Sequence, residues 1–158
     1  MYLVFALIDV TLTILNAYGI GFSVSLGRFF AVQNRLDDYD WATFIIVCLS
    51  LGALGGGLGA IHWFTQVLHK LMGNETKKKV EQGWVKTLVS LVVLILEIIA
   101  TVHAWSWARD LQANGPEDFA HDTKVLAVLL TTILSLAGLG FTVAILLACL
   151  LFSKREIV

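Results

Sequence analysis

Four long apolar blocks, separated by short polar segments, constrain this chain more than any other feature of its sequence. The blocks cover about residues 2–27, 42–69, 84–108 and 125–152. Each is at least as long as the roughly 20 residues that an α-helix needs to cross a bilayer. The chain is 58% hydrophobic and only 15% charged, with a mean hydropathy of +0.81, which is not the balance of a soluble domain. We therefore expect an all-α integral membrane protein.

The polar segments near residues 32–40, 70–82 and 109–123 are too short to hold a soluble domain. We expect residues 1–158 to form a single four-span domain, an antiparallel up-down four-helix bundle in which sequential helices are neighbours. A cleaved signal peptide is the alternative for the first block. It is disfavoured because the block lacks a basic leader, is interrupted by Asp9 and is longer than a usual signal core.

Basic residues predict the orientation of this bundle. One side carries Lys70, Lys77, Lys78, Lys79, Lys86, Lys154 and Arg155, and the other carries Arg28, Arg35, Arg109 and Lys124. Because basic residues concentrate on the cytosolic side of membrane proteins, we expect both termini and the 70–82 connection in the cytosol. The sequon Asn74-Glu75-Thr76 opposes this orientation, since it has a meaning only if that connection faces a lumen.

Each predicted span carries a stripe of small or hydrogen-bonding residues at helical spacing. In lipid no hydrophobic force presses helices together, so close backbone approach and interhelical hydrogen bonds must hold a bundle. We therefore expect the stripes to face one another. With the few apolar residues at the same spacing, they comprise Asp9, Thr13, Asn16, Ile20, Ser23 and Gly27; Cys48, Gly52, Gly55, Gly59, His62, Gln66 and His69; Thr87, Ser90, Leu94, Glu97, Thr101, Ala104 and Ala108; and Thr131, Ser135, Gly138, Thr142, Ile145 and Cys149.

Glycines in the second span strengthen this expectation. The stretch LGALGGGLGA contains Gly52-xxx-Gly56 and Gly55-xxx-Gly59, a spacing that places two glycines on one helix face. Such pairs allow a tight helix crossing. We expect these glycines, together with Gly138 of the fourth span, to pack helices within the bundle, with a dimer face as the alternative.

Two polar layers are predicted inside the bundle. Counted along their helices, Asn16 and Glu97 reach similar depths near mid-membrane, and Asp9 and His62 reach similar depths nearer the cytosol. The first interpretation is structural, with a Glu97–Asn16 hydrogen bond that fixes the helix register. The alternative is a proton or cation pathway, because carboxyl groups inside a membrane commonly mark transport.

Other chemistries are weakly indicated. His62 and His103 lie at different depths, so one haem between them is not expected, and neither is a pigment. Cys48 and Cys149 are expected to be free thiols on opposite sides of the membrane. The run Lys77–Lys79 is a candidate site for anionic lipid headgroups. We find no nucleophile-base pair, phosphate-binding loop or metal-ligand spacing, so no enzyme, metal or cofactor is expected.

These observations lead to two functional hypotheses. The first is a structural or associative role, in which the protein packs within or organises a larger membrane assembly as a tetraspan or accessory subunit. Its partners are then the lipid bilayer and other membrane proteins or further copies of itself, and nucleic acid is not among them. The second is a small proton- or cation-coupled carrier or channel subunit that uses Asp9, Asn16, His62 and Glu97.

Overall fold

A computed structural model describes the backbone of residues 2–72 and 83–153 and the side chains of residues 2–72, 88–143 and 146. These residues form four helices: α1 (Tyr2–Val32), α2 (Leu36–Leu71), α3 (Gly83–Asn114) and α4 (Glu117–Ser153). All four are long and apolar enough to cross a membrane. The prediction of an all-helical chain with four candidate spans is confirmed.

The helices are longer than the predicted spans. They contain 31, 36, 32 and 37 residues, which at ~1.5 Å per residue is about 45–55 Å, well beyond the ~30 Å hydrocarbon core. The segments predicted as connections near 32–40 and 109–123 are therefore mostly helical. Hydropathy detects only the apolar part of a helix, so it misses polar turns at the ends. Here the first turns contain acidic residues, such as Asp37 and Glu117, which stabilise a helix N-terminus.

Residues 33–35 form a tight turn between α1 and α2. Asn34 adopts a left-handed conformation with φ 59°. The Arg35 amide donates to the Phe30 carbonyl at 2.9 Å, and the Asn34 amide donates to the Ala31 carbonyl at 3.2 Å. This is the Schellman arrangement, with asparagine at the position that glycine usually occupies. It ends α1 and turns the chain directly into α2.

Each helix packs against two neighbours. Helix α1 contacts α2 and α4, and α3 contacts α4 and α2, with the most extensive contact between α1 and α2. The contacts show that α1 runs antiparallel to α2 and to α4. Asp9 lies against Gly59, Asn16 against Gly52 and Gly27 against Ala42 in α1 and α2; Gly19 lies near Leu129 and Phe29 stacks on Phe119 in α1 and α4.

The hydrophobic core fills one half of the bundle, which we call the packed half. Phe30, Leu26 and Ile45 are fully buried there, and Phe30 packs against Trp107 with ring centroids 4.9 Å apart. The other half, which we call the cavity half, contains the N-terminal part of α1. The core residues of the packed half are Leu26, Phe30, Ala42, Ile45, Leu49, Ala100, Ala104, Trp107, Ala108, Leu111, Leu126, Ala127, Leu130 and Ile133.

The predicted inward stripes agree with the structure over much of α1 and α3, agree only in part in α2, where Gly55 and His62 are exposed, and disagree in α4. Asn16, Ser23 and Thr101 are buried as expected. In contrast, Thr131, Ser135 and Thr142 of α4 are exposed, so that prediction was wrong. Each of these hydroxyl groups donates to the carbonyl four residues earlier, as do the buried hydroxyl groups of Ser23 and Thr101. A hydroxyl group that bonds its own helix can therefore face either way. The inward face of α4 is instead built from Leu126, Ala127, Leu130 and Ile133.

Candidate binding cavity

A cavity of about 1020 Å³ occupies the cavity half, and all four helices line it. Its walls are mainly apolar and aromatic, and four polar side chains lie among them. The polar lining consists of Asp9 and Asn16 from α1 and Ser90 and Glu97 from α3; the apolar lining includes Phe5, Ile8, Leu12, Leu51, Trp63, Leu94, Leu136 and Phe141. Three of the four residues of the predicted polar network therefore meet at one cavity.

Glu97 lies where the cavity meets the packed half. It is only 4% exposed, and Ala100 and Thr101 on the next turn of α3 are buried in the bundle. No hydrogen bond joins its carboxyl group to another described side chain, and no Lys, Arg or His is among the described lining residues. A buried carboxyl group without a partner is costly, so a hydrogen-bonding or positively charged group beside Glu97 would be stabilising.

Asn16 faces the same cavity from α1. Its side chain is 1% exposed, and its Nδ2 donates to the Leu12 carbonyl at 2.8 Å. Its Oδ1 is buried without a hydrogen-bond partner among the described residues. The predicted Asn16–Glu97 hydrogen bond is therefore not formed, because α1 and α3 face each other across the cavity and are not direct neighbours.

Asp9 is placed differently from the sequence expectation. Its carboxyl group lies against the backbone of Gly59 and interacts with the Trp63 side chain. His62, the expected partner, is exposed and contacts the Trp63 ring edge-on at a centroid distance of 5.3 Å. The structure thus leaves His62 outside the cavity and brings in Trp63, which the sequence reasoning missed. Adjacent residues of a helix differ by about 100° in direction, and depth counting alone does not separate them.

Glycines of α2 make room for the polar side chains of α1. A Cβ atom at Gly52 would be 2.6 Å from Asn16 Oδ1, and one at Gly56 would be 2.7 Å from Thr13 Oγ1 and 2.9 Å from the Asp9 carbonyl oxygen. Gly59 similarly receives the Asp9 carboxyl group. Gly55 and Gly138 have no such neighbour within 4 Å, and Gly55 instead lines the cavity.

The cavity opens between α2 and α3. Its exposed lining residues all come from these two helices: Leu51 and Gly55 from α2, and Val89 and Ser90 from α3. Leu51 is 45% exposed and Val89 is 55% exposed. The lining residues from α1 and α4 are buried or half-buried. The opening lies along the apolar flank of the bundle, at the level of the candidate membrane spans.

A polar network at the far end of the packed half was also missed by the sequence reasoning. Arg35 Nε bonds Asp38 Oδ2 at 2.6 Å, and an Arg35 terminal nitrogen bonds Asp110 Oδ2 at 2.8 Å. Trp107 Nε1 donates to Asp38 Oδ1 at 2.7 Å. Partial burial opposes the charge on Arg35, but hydrogen bonds to Asp110 and Asp38 outweigh this effect and raise the pKa of its guanidinium group. The network joins the α1–α2 turn to α3.

The remaining predicted sites lie elsewhere. His103 stacks against Trp41 with ring centroids 3.5 Å apart, away from the cavity. Cys48 is a buried free thiol. The structure describes no group of three or more His, Cys, Asp or Glu residues that could hold a metal ion in the ranges it covers. Lys77, Lys78, Lys79, Asn74 and the Cys149 side chain lie outside the described residues.

The cavity therefore combines apolar walls with two carboxyl groups. Such a site is suited to a positively charged or hydrogen-bond-donating ligand. No family model, curated protein or solved structure matches this chain. Its function must accordingly be inferred from the cavity itself.

Proposed function

We propose that this protein is a small membrane protein that binds a proton or cation at Asp9 and Glu97, as a coupled carrier or channel subunit. The supporting observation is the roughly 1020 Å³ cavity in which these carboxyl groups lie, with no basic residue in its described lining. Ionisable residues that face a cavity inside a membrane commonly mark an ion or substrate pathway. Asn16 lines the same cavity, with its Oδ1 atom packed against Gly52 of α2.

Proton flux tests this function directly. The purified protein is reconstituted in vesicles that contain a pH-sensitive dye, and a pH gradient is applied. We expect wild type to dissipate the gradient faster than empty vesicles, and Glu97→Gln to abolish the difference. Glu117→Gln is the matched control because Glu117 is exposed in the first turn of α4. The same comparison is made for Na⁺ and K⁺ flux. If the wild-type protein moves none of the three ions faster than empty vesicles do, the proposal is contradicted.

We further propose that the four helices insert in up-down order with both termini and the 70–82 connection in the cytosol. The support is the uneven distribution of basic residues; in this orientation the cavity half lies toward the cytosol. Thiol labelling from outside tests it, in a background without Cys48 and Cys149. Asp37→Cys and Glu117→Cys, both at exposed positions, should react with an impermeant reagent, whereas Lys78→Cys should be protected. Labelling at position 78 or glycosylation of Asn74 would reverse the orientation.

A structural or associative role is the second candidate. The observation that favours it is the shortness of two connections: residues 33–35 join α1 to α2, and residues 115–116 join α3 to α4. Neither connection has room for a receptor domain. Lys77–Lys79 would then help to hold the protein at anionic lipids. Gentle purification followed by mass spectrometry tests this role. A fixed set of co-purifying membrane proteins supports an accessory subunit, and a protein that purifies alone counts against it.

A further inference from the structure

We infer that the cavity binds an amphipathic amine, a molecule with a protonated amino group on an apolar body, that enters from the lipid between α2 and α3. This inference rests on the proposed function, since it names the cation that the carboxyl groups of the cavity take. It adds two features that the proposed function does not contain. These are the chemical class of the ligand and its route of entry.

The polar groups of the cavity define the charged end of this ligand. Glu97 and Asp9 offer carboxyl groups at two levels of the cavity. An ammonium group has three N–H donors and no acceptor, so it complements either carboxyl group. A carboxylate or phosphate group would be repelled, because no described lining residue carries a positive charge.

The walls and the volume define the apolar end. A bare metal ion or a proton needs only a small fraction of 1020 Å³, a volume at the upper end of the range for drug-sized ligands, ~300–1,000 Å³. The side chains around the remaining space are apolar or aromatic, including Leu12, Leu94 and Phe141. Filling this space with water would be unfavourable, whereas an alkyl or aromatic body fits it.

Aromatic rings continue the binding surface toward the start of α1. Trp63 stacks with Tyr2 and Phe5, at ring-centroid distances of 5.7 and 5.2 Å, and all three line the cavity. Aromatic faces attract cations as well as apolar groups. An amine therefore finds favourable contacts between the headgroup level and the buried carboxyl group of Glu97.

The position of the opening determines the route. Among the described lining residues, the exposed ones come from α2 and α3. The aromatic contact and the hydrogen bond between these helices, Trp41 with His103 and Trp107 with Asp38, lie in the packed half. An amphipathic amine concentrates in a bilayer, so it reaches this opening by diffusing within the membrane.

Photoaffinity labelling tests the ligand class. The protein is placed in phosphatidylcholine nanodiscs with a diazirine derivative of dodecylamine, and cross-linked peptides are identified by mass spectrometry. We expect labels on cavity-lining residues of α2 and α3, with competition by dodecylamine but not by dodecanol. Glu97→Gln should lower the apparent affinity at least tenfold, whereas Glu117→Gln should leave it unchanged.

Two glycines of α2 provide a matched test of the route. Gly55 lines the opening and Gly57 does not, although a Cβ at either would meet nothing within 4 Å. Gly55→Phe should slow labelling several-fold, and Gly57→Phe should not. Elution volume and circular dichroism verify that both variants fold.

The outcomes separate this inference from the proposed function. Equal competition by dodecanol, or no labelling in the cavity, overturns the amine as ligand even if Glu97-dependent proton flux is present. Equal labelling rates for Gly55→Phe and Gly57→Phe overturn entry between α2 and α3. Cavity labelling that depends on Glu97, in a protein without proton or cation flux, supports the amine site and contradicts the carrier.

Discussion

The packed half and the cavity half are built from the same four helices but use different interactions. In the packed half, large apolar side chains interdigitate, and Phe30, Ile45 and Leu130 are essentially inaccessible. In the cavity half, α1 and α2 remain in close contact through glycines that receive short polar side chains. Contact between α1 and α2 therefore continues through both halves, whereas the aromatic contact and the hydrogen bond between α2 and α3 lie in the packed half.

This difference shows how a small membrane bundle can hold an open site. Because lipid supplies no hydrophobic force between helices, stability depends on dispersion contacts and polar bonds. Concentrating these in the packed half and along the α1–α2 contact leaves α3 free to stand away from α2 around the cavity. The two halves should consequently respond differently to equivalent substitutions.

The largest expected difference concerns two phenylalanines of α1. Phe30→Ala should lower the free energy of unfolding by about 3 kcal/mol, because it removes a fully buried ring and leaves a void. Phe5→Ala should cost about 1 kcal/mol, because Phe5 is half-buried beside an existing cavity. Unfolding in detergent with increasing denaturant measures both. Equal losses would show that the two halves are packed alike.

Adjacent glycines of α2 give the next contrast. Gly56→Ala places a methyl group 2.9 Å from the Asp9 carbonyl oxygen, so α1 must move, and we expect a loss of roughly 1–3 kcal/mol. Gly55→Ala meets nothing within 4 Å and should stabilise by about 0.5–1 kcal/mol through helix propensity. Thermal unfolding of the two variants compares them directly. A neutral Gly56→Ala would mean that α1 and α2 are not in close contact there.

The network around Arg35 tests how the packed half is closed. Asp38→Ala leaves the nearly buried Trp107 indole without its acceptor and should cost about 1–3 kcal/mol. Asp110→Ala removes only an exposed ion pair and should cost less than about 1 kcal/mol. Unfolding free energies again provide the comparison, and Asp38→Asn, which keeps an acceptor oxygen, should recover much of the loss. A larger loss for Asp110→Ala than for Asp38→Ala would mean that the Arg35–Asp110 ion pair stabilises the packed half more than the indole hydrogen bond does.

The smallest effect is expected within the cavity. Asn16 and Glu97 line it without bonding each other, so Asn16→Leu and Glu97→Leu should change stability additively, within about 0.5 kcal/mol. A double-mutant cycle measured by thermal unfolding gives the coupling energy. A coupling well above this value would mean that the cavity closes and brings the two side chains together.

Much of the fold was predictable because a helix that crosses a bilayer must consist almost entirely of apolar residues. Runs such as LVVLILEIIATVH around Glu97 have no other stable location than a membrane helix or a buried core. Much of the inward faces of α1 and α3 was also predictable, since Asn16, Ser23 and Thr101 interrupt apolar surroundings. The face of α4 was not, because a hydroxyl group that donates to its own helix, as those of Ser23 and Thr131 both do, can be buried or exposed.

The site was predictable in its residues more than in its partners. Glu97, Asn16 and Asp9 stand out as polar residues inside apolar blocks, and all three line the cavity. Their neighbours depend on helix rotation and on which helices touch, neither of which residue counting provides. This explains why Trp63 replaces His62 beside Asp9, and why Asn16 and Glu97 are separated by open space. The cavity itself has no direct signature in the sequence.

The three-residue turn at 33–35 also bears on how the protein is made. Contacts between Asp9, Asn16 or Gly27 and their partners in α2 join residues that are synthesised before any part of α3. The first two helices can therefore enter the membrane as a hairpin that contains both sides of its interface. Assembly would then reduce to docking α3 and α4 onto this hairpin. A chain of residues 1–72 alone should already protect a thiol introduced at Ala42, which lies against Gly27, from a membrane-permeant reagent.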